Sequence, residues 1–130
     1  MTYTRELLEQ IDERELNIMA AKAVGKNIRM LNEVTGGAFK DVYDRPVIDL
    51  GDMRYDYVPQ YSTSMSEAAT LLQEFDDVVL RVSLNYDQRQ IYTVQIGHVF
   101  LLADKLEEWP KIITQAVILA TTGQGGAAYE

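Results

Sequence analysis

The sequence predicts an α+β domain: a layered α/β sandwich with a mainly antiparallel sheet, in the order helix, irregular or short-stranded segment, helix, β-hairpin, helix. Three observations carry this expectation. Apolar residues recur at helical spacing after Asp12, after Ser64 and after Pro110. Val78–Leu84 and Ile91–His98 alternate in the period of strands with one buried face. The polar stretch Tyr86–Gln90 between them is short enough to close an antiparallel hairpin. Amphipathic helices beside such strands bury their apolar faces on one another in layers.

Taken in order, Arg5–Ile11 reads as a helical turn carrying Leu7, Leu8 and Ile11. Its apolar phase does not run through Glu15, which predicts a break near Asp12. From there Asp12-x-x-Glu15 has capping-box spacing, and Leu16, Met19, Ala20 and Ala23 continue one helical face to Val24. Gly25 sits where a helix stops. Residues 26–61 are the least regular part. Gly36-Gly37 marks a turn between Ile28–Val34 and Ala38–Tyr43, and Pro46 opens a short Val47–Leu50 run closed by Gly51-Asp52. Short twisted strands or an ordered loop fit this segment.

The second helix is marked by Ser64-x-x-Glu67, with Met65, Ala68, Ala69, Leu72 and Phe75 on one face. The hairpin Val78–His98 follows. Its Val78, Leu80, Val82 and Leu84 alternate with Val79, Arg81 and Ser83, which places it at the centre of the sheet with helices two and three packed on it; burial of Val82 there implies that an Asp at that position unfolds the domain. Val99–Trp109 fits two readings: Val99–Leu102 extends the strand, or Leu102, Ala103, Leu106 and Trp109 form a helical face. Pro110 suits the first turn of a last helix, where its missing N–H costs nothing. Ile112, Ile113, Ala116, Val117, Leu119 and Ala120 give that helix a wide apolar face, and Gly123 ends it. The expected organisation is one domain over residues 1–123 and a loose tail over 124–130.

The 130 residues suit a single domain with a real core. The absence of cysteine excludes disulfides and thiolate metal sites. Net charge is −8, and none of the four quarters of the chain carries an excess of bases. A groove tracking phosphates has no electrostatic source here, so nucleic-acid binding is not expected. No apolar run approaches the roughly 18 residues that cross a bilayer. The Met1–Glu6 start lacks the layout of a signal peptide, which leads to an expectation of a cytoplasmic protein without membrane partners.

Several features together resemble a known group. They are the acidic helix start Asp12-Glu13-Arg14-Glu15-Leu16 running on to Ala20, Ala23 and Val24-Gly25, the Pro59-Gln60-Tyr61-Ser62-Thr63-Ser64-Met65 entry to helix two, the strand pair, and the Ala- and Ile-rich helix behind Trp109-Pro110. Over roughly Leu7–Thr122 this layout is similar to small phage and prophage proteins of the NinX and phage ABA sandwich type. The resemblance implies a phage or prophage origin, a host-cell cytoplasmic location if phage-encoded, and an α/β sandwich. It implies no catalytic residues.

No catalytic motif and no cofactor signature stands in the sequence. His98, the single histidine, is in phase with Tyr92, Val94 and Ile96 and reads as a hydrogen-bonded rim residue at a strand end. Asp41, Asp44, Asp49, Asp52 and Asp56 lack calcium-loop spacing and fit turn chemistry. Tyr43, Tyr55, Tyr57 and Tyr61 with Arg54 are a more pointed signal: Tyr and Arg anchor interfaces, although alternating Tyr55 and Tyr57 also suit a plain strand face. Ser62-Thr63-Ser64 offers hydroxyls and N–H groups at a helix start, for an anion or simply for capping. The functional expectation is a non-enzymatic binding protein that engages a protein partner through Tyr43, Arg54, Tyr55, Tyr57, Tyr61, Ser62 and Thr63. The alternatives are a protein sequestering a nucleotide-like ligand at an oligomer interface, and a small carboxylate- or metal-dependent hydrolase. The wide apolar face of the last helix adds an expectation of a homo-oligomer, most simply a dimer.

Overall fold

A computed structural model of the chain describes residues 4–31, 45–52 and 54–122. Four helices and two three-stranded antiparallel sheets build the expected α+β layers among these residues. The helices are α1 (Arg5–Glu9), α2 (Glu13–Ala23), α3 (Met65–Leu71) and α4 (Trp109–Thr122). One sheet is β1 (Ile28–Met30), β2 (Pro46–Gly51) and β3 (Arg54–Tyr57); the other is β4 (Val78–Leu84), β5 (Gln90–Ile96) and β6 (Val99–Ala103). The Gly36-Gly37 turn, Ala38–Tyr43 and the 124–130 tail lie outside the described residues.

Local sequence sets the helix ends. The Asp12 carboxylate accepts the Glu15 N–H at 2.8 Å and starts α2 after the break expected there. Gly25, at φ +89°, ends it: the Gly25 N–H reaches the Lys22 carbonyl and the Lys26 N–H reaches the Ala21 carbonyl, the paired bonds of a Schellman cap. Ser64 Oγ accepts the Glu67 N–H at 3.3 Å to cap α3. The reciprocal half of that capping box is absent, because the Glu67 carboxylate takes the Gln60 N–H instead.

The last helix is the centre of the molecule. Ile112, Ile113, Ala116, Val117 and Ile118 are at most 2 % exposed, and Thr114 and Gln115 between them are fully buried. Burial through successive residues means the helix is covered on every side: α2 and α3 pack against it from one direction, β5 and β6 from the other. Its wide apolar face is therefore satisfied within the chain, and the oligomer expected from it loses that basis. Trp109 anchors its start, with the indole N–H donating to the Thr93 carbonyl at 3.1 Å and the ring 5.2 Å from that of Tyr92.

The sheet differs from expectation in one respect. Its central strand is β5, not the β4–β5 hairpin as a unit, because Val99–Ala103 forms a third strand beyond it. Gly97-His98 makes the two-residue turn between β5 and β6, with Gly97 at φ +58° as the first residue of a II′ turn requires. This turn carries His98 to an exposed position at the end of β5, although its phase is that of the buried Tyr92, Val94 and Ile96. Val94 and Ile96 of β5 are buried under α4, whereas Val82, on the edge strand, is 47 % exposed. An Asp at position 82 is therefore tolerable, contrary to the sequence expectation. In turn α3 rests mainly on α4 rather than on the sheet.

Candidate functional site

The tyrosine segment forms β3 and its approach to α3. Antiparallel pairing sets Tyr57 opposite Val47 and Tyr55 opposite Asp49, with a register shift between Asp49 and Gly51. Asp49 supports this irregular end twice over: Oδ1 accepts the Gly51 N–H at 2.9 Å, and Oδ2 lies 3.6 Å from Arg29 Nη1. Gly51 and Asp52 both take positive φ, which turns the chain sharply into β3.

Two tyrosines of the segment part company. Tyr57 is 63 % exposed with the Arg45 guanidinium 4.5 Å from its ring centroid. Such stacking holds the ring upright as a rigid, amphipathic surface group. Arg54 is exposed and Tyr55 half-buried beside it. Tyr61 is 2 % exposed and belongs to the core, where burial, with Glu67 nearby, raises its phenol pKa above the ordinary 10. Ser62 is likewise buried and Thr63 exposed. The seven expected residues are thus not one surface: Arg54, Tyr55 and Tyr57 share β3, Tyr61 and Ser62 face inward, and Tyr43 lies outside the described residues.

A polar cluster that sequence reasoning missed lies behind Ser62. Asn17 on α2, 4 % exposed, accepts the Ser62 N–H at 2.8 Å through Oδ1. Gln115 on α4 donates to Glu9 Oε2 at 3.0 Å. Lys111 Nζ lies 3.6 Å from Glu9 Oε1 and Arg5 Nε 3.7 Å from Oε2. The Gln115 hydrogen bond, with the two cations, holds the Glu9 carboxyl below its ordinary pKa against a smaller opposing effect of burial. Ser62 Oγ and Gln115 Oε1 are buried with no hydrogen-bond partner among the described residues. Apart from the local Arg5–Glu9 pair, no signal along the chain announces this cluster, since the hydrogen bonds that assemble it join residues 45 and 106 positions apart.

Other expected chemistry finds no assembled site. Ser62 is buried and Ser64 caps the seven-residue α3, which leaves Thr63 as the exposed residue of the Ser62–Ser64 run. Among the described residues, no group of three or more His, Asp or Glu side chains converges as metal ligands. No helix among them is long and apolar enough to cross a membrane.

These features define a small layered α+β protein that presents a tyrosine and arginines on the strands of its minor sheet. In fold it is similar to a phage protein from Bacillus cereus ATCC 14579, at a TM-score of 0.52 and 15 % sequence identity, over 85 % of this chain and 92 % of that one. No family model and no curated protein matches the chain. The narrower NinX and phage ABA sandwich resemblance therefore rests on the sequence features alone.

Proposed function

We propose that this chain is a non-enzymatic phage or prophage accessory protein that acts by binding another protein, of host or phage origin, through the β3 surface. The observation that carries the reading is Tyr57: a large aromatic side chain left 63 % exposed and stacked by Arg45, next to exposed Arg54. An aromatic with no core to fill, held in one orientation, loses little entropy on docking, which is how Tyr anchors interfaces. The fold likeness to a phage protein supports the phage half of the proposal.

A photo-cross-linking side chain placed at Tyr57, or at exposed Phe100 of the other sheet, tests this in host cells. Capture of one defined protein from position 57 and not from position 100 is the expected outcome. Equal labelling at both positions, or none at 57, contradicts the reading.

A further inference from the structure

The β4 edge carries a second interaction surface, and its backbone directions can be read off the two ends of the hairpin. At one end the Gly97 N–H donates to the Asp77 carbonyl at 3.2 Å; at the other the Asn85 N–H donates to the Arg89 carbonyl at 3.0 Å. Both bonded positions on the β4 side are odd-numbered. In an antiparallel ladder the backbone groups of successive residues point alternately to the two sides. Val79, Arg81 and Ser83 therefore bond β5, and the N–H and C=O groups of Val78, Leu80, Val82 and Leu84 point to the open edge. No strand among the described residues pairs there.

The same four residues carry the apolar row on the helix-side face, paired across to Ile96, Val94, Tyr92 and Gln90. Because α4 lies over β5 and β6, the row is progressively uncovered: Leu80 is 38 %, Val82 47 % and Leu84 61 % exposed. The opposite edge of this sheet is blunted. Only Phe100 and Leu102 of β6 direct backbone groups outward, and the Leu102 carbonyl accepts from Arg5 Nη2 at 3.1 Å. Long, apolar and unprotected edges are strand-pairing templates.

We propose that β4 pairs antiparallel with β4 of a second copy of this chain across a two-fold axis, joining the two sheets into one of six strands. The partner is a second copy because the surface is self-complementary. Free donors and acceptors alternate along it, and its outward row is apolar throughout. Val78–Leu84 is also free of carboxylates in a chain of net charge −8, so the paired strands themselves bring no two acids together. The one charge, Arg81, selects the register. With Arg81 on the axis two guanidiniums face each other directly, which is unfavourable. With Val82 on the axis, Arg81 faces Ser83 of the second copy, and Leu80 pairs with Leu84, so the three most exposed side chains are covered. An axis at Leu80 leaves Leu84 outside the ladder. The Val82-centred register is the one the surface favours.

The test combines mass and hydrogen exchange on the whole chain. Light scattering of wild type at about 100 μM gives a dimer mass, and Val82→Lys gives a monomer mass with an unchanged far-ultraviolet circular dichroism spectrum. In wild type, the amides of Leu80, Val82 and Leu84 exchange at least about tenfold more slowly at high concentration than after dilution to monomer, as expected for amides bonded only in the dimer. Those of Arg81 and Ser83, bonded within the chain, do not change with dilution. A monomer mass for wild type, or alternate amides that exchange rapidly at every concentration, overturns the proposal. Should Val82→Lys lose its fold, the wild-type exchange pattern decides the question alone.

Discussion

Replacing Tyr57 and Tyr61 singly with Ala separates recognition from packing within one short segment. Tyr61 is 2 % exposed in the core cluster around α4, so its truncation removes nearly a whole buried ring and leaves a cavity. Aromatic deletions of that kind cost about 3–5 kcal/mol. In a domain of this size that lowers Tm by roughly 10–20 °C. Tyr57 is 63 % exposed, and its main defined contact is the Arg45 guanidinium. Losing a surface stacking contact costs about 0.5–1 kcal/mol, or roughly 2–4 °C. The single tryptophan, Trp109, packs on Tyr92 at the start of α4 and reports unfolding by fluorescence without an added label. Thermal and urea melts of the two variants beside wild type make the comparison. Equal losses for both would refute the assignment of Tyr57 to the surface and Tyr61 to the core.

Three further outcomes follow from the core and its polar inclusions. Val94→Asp, at a fully buried position on the central strand, unfolds the chain, whereas Val82→Asp on the edge keeps a native circular dichroism spectrum at low micromolar concentration. Asn17→Ala strands the Ser62 N–H in the interior and lowers stability by about 1–3 kcal/mol in urea melts. The carboxyl of Glu9 has its folded pKa below the ordinary 4.5, so the Gln115, Lys111 and Arg5 interactions contribute stability above that value and lose it as pH falls through the folded pKa. Glu9→Gln accordingly lowers Tm at neutral pH, where the carboxylate contributes, and converges on wild type as pH falls below about 4.5, which flattens the acid limb of a Tm-against-pH profile.

The parts of this fold that were legible in the sequence are those fixed by neighbours along the chain. Asp12 with Glu15, Ser64 with Glu67, and Gly25 at positive φ act within one helical turn, and helix starts and stops fall close to where those residues place them. Alternation in β4 and β5 showed which residues share a face. It could not show which strand the helix crosses, because Val82 and Val94 have the same pattern and differ only in whether α4 reaches them. The apolar Val99–Ala103 run fits a strand or a helix equally well; glycine at the first position of the two-residue Gly97-His98 turn was the available sign that it was a third strand. The last helix showed a wide apolar face but not its cover, which comes from four separate elements, α2, α3, β5 and β6. For the same reason the tyrosine cluster gave the segment but not its division, since burial of Tyr61 and exposure of Tyr57 depend on the helices that meet only in the folded chain. The Asn17–Ser62 and Glu9–Gln115 bonds had no local trace at all.

The proposed binding role stands or falls on the affinity of the partner cross-linked from position 57. Titration of that purified protein against wild type and Tyr57→Ala, by isothermal calorimetry, measures the anchor directly. The expected loss is about 1–2 kcal/mol, a rise in Kd of roughly 5- to 30-fold, with a Tm within a few degrees of wild type. An unchanged Kd for the well-folded variant would contradict the claim that the β3 surface is where this protein binds.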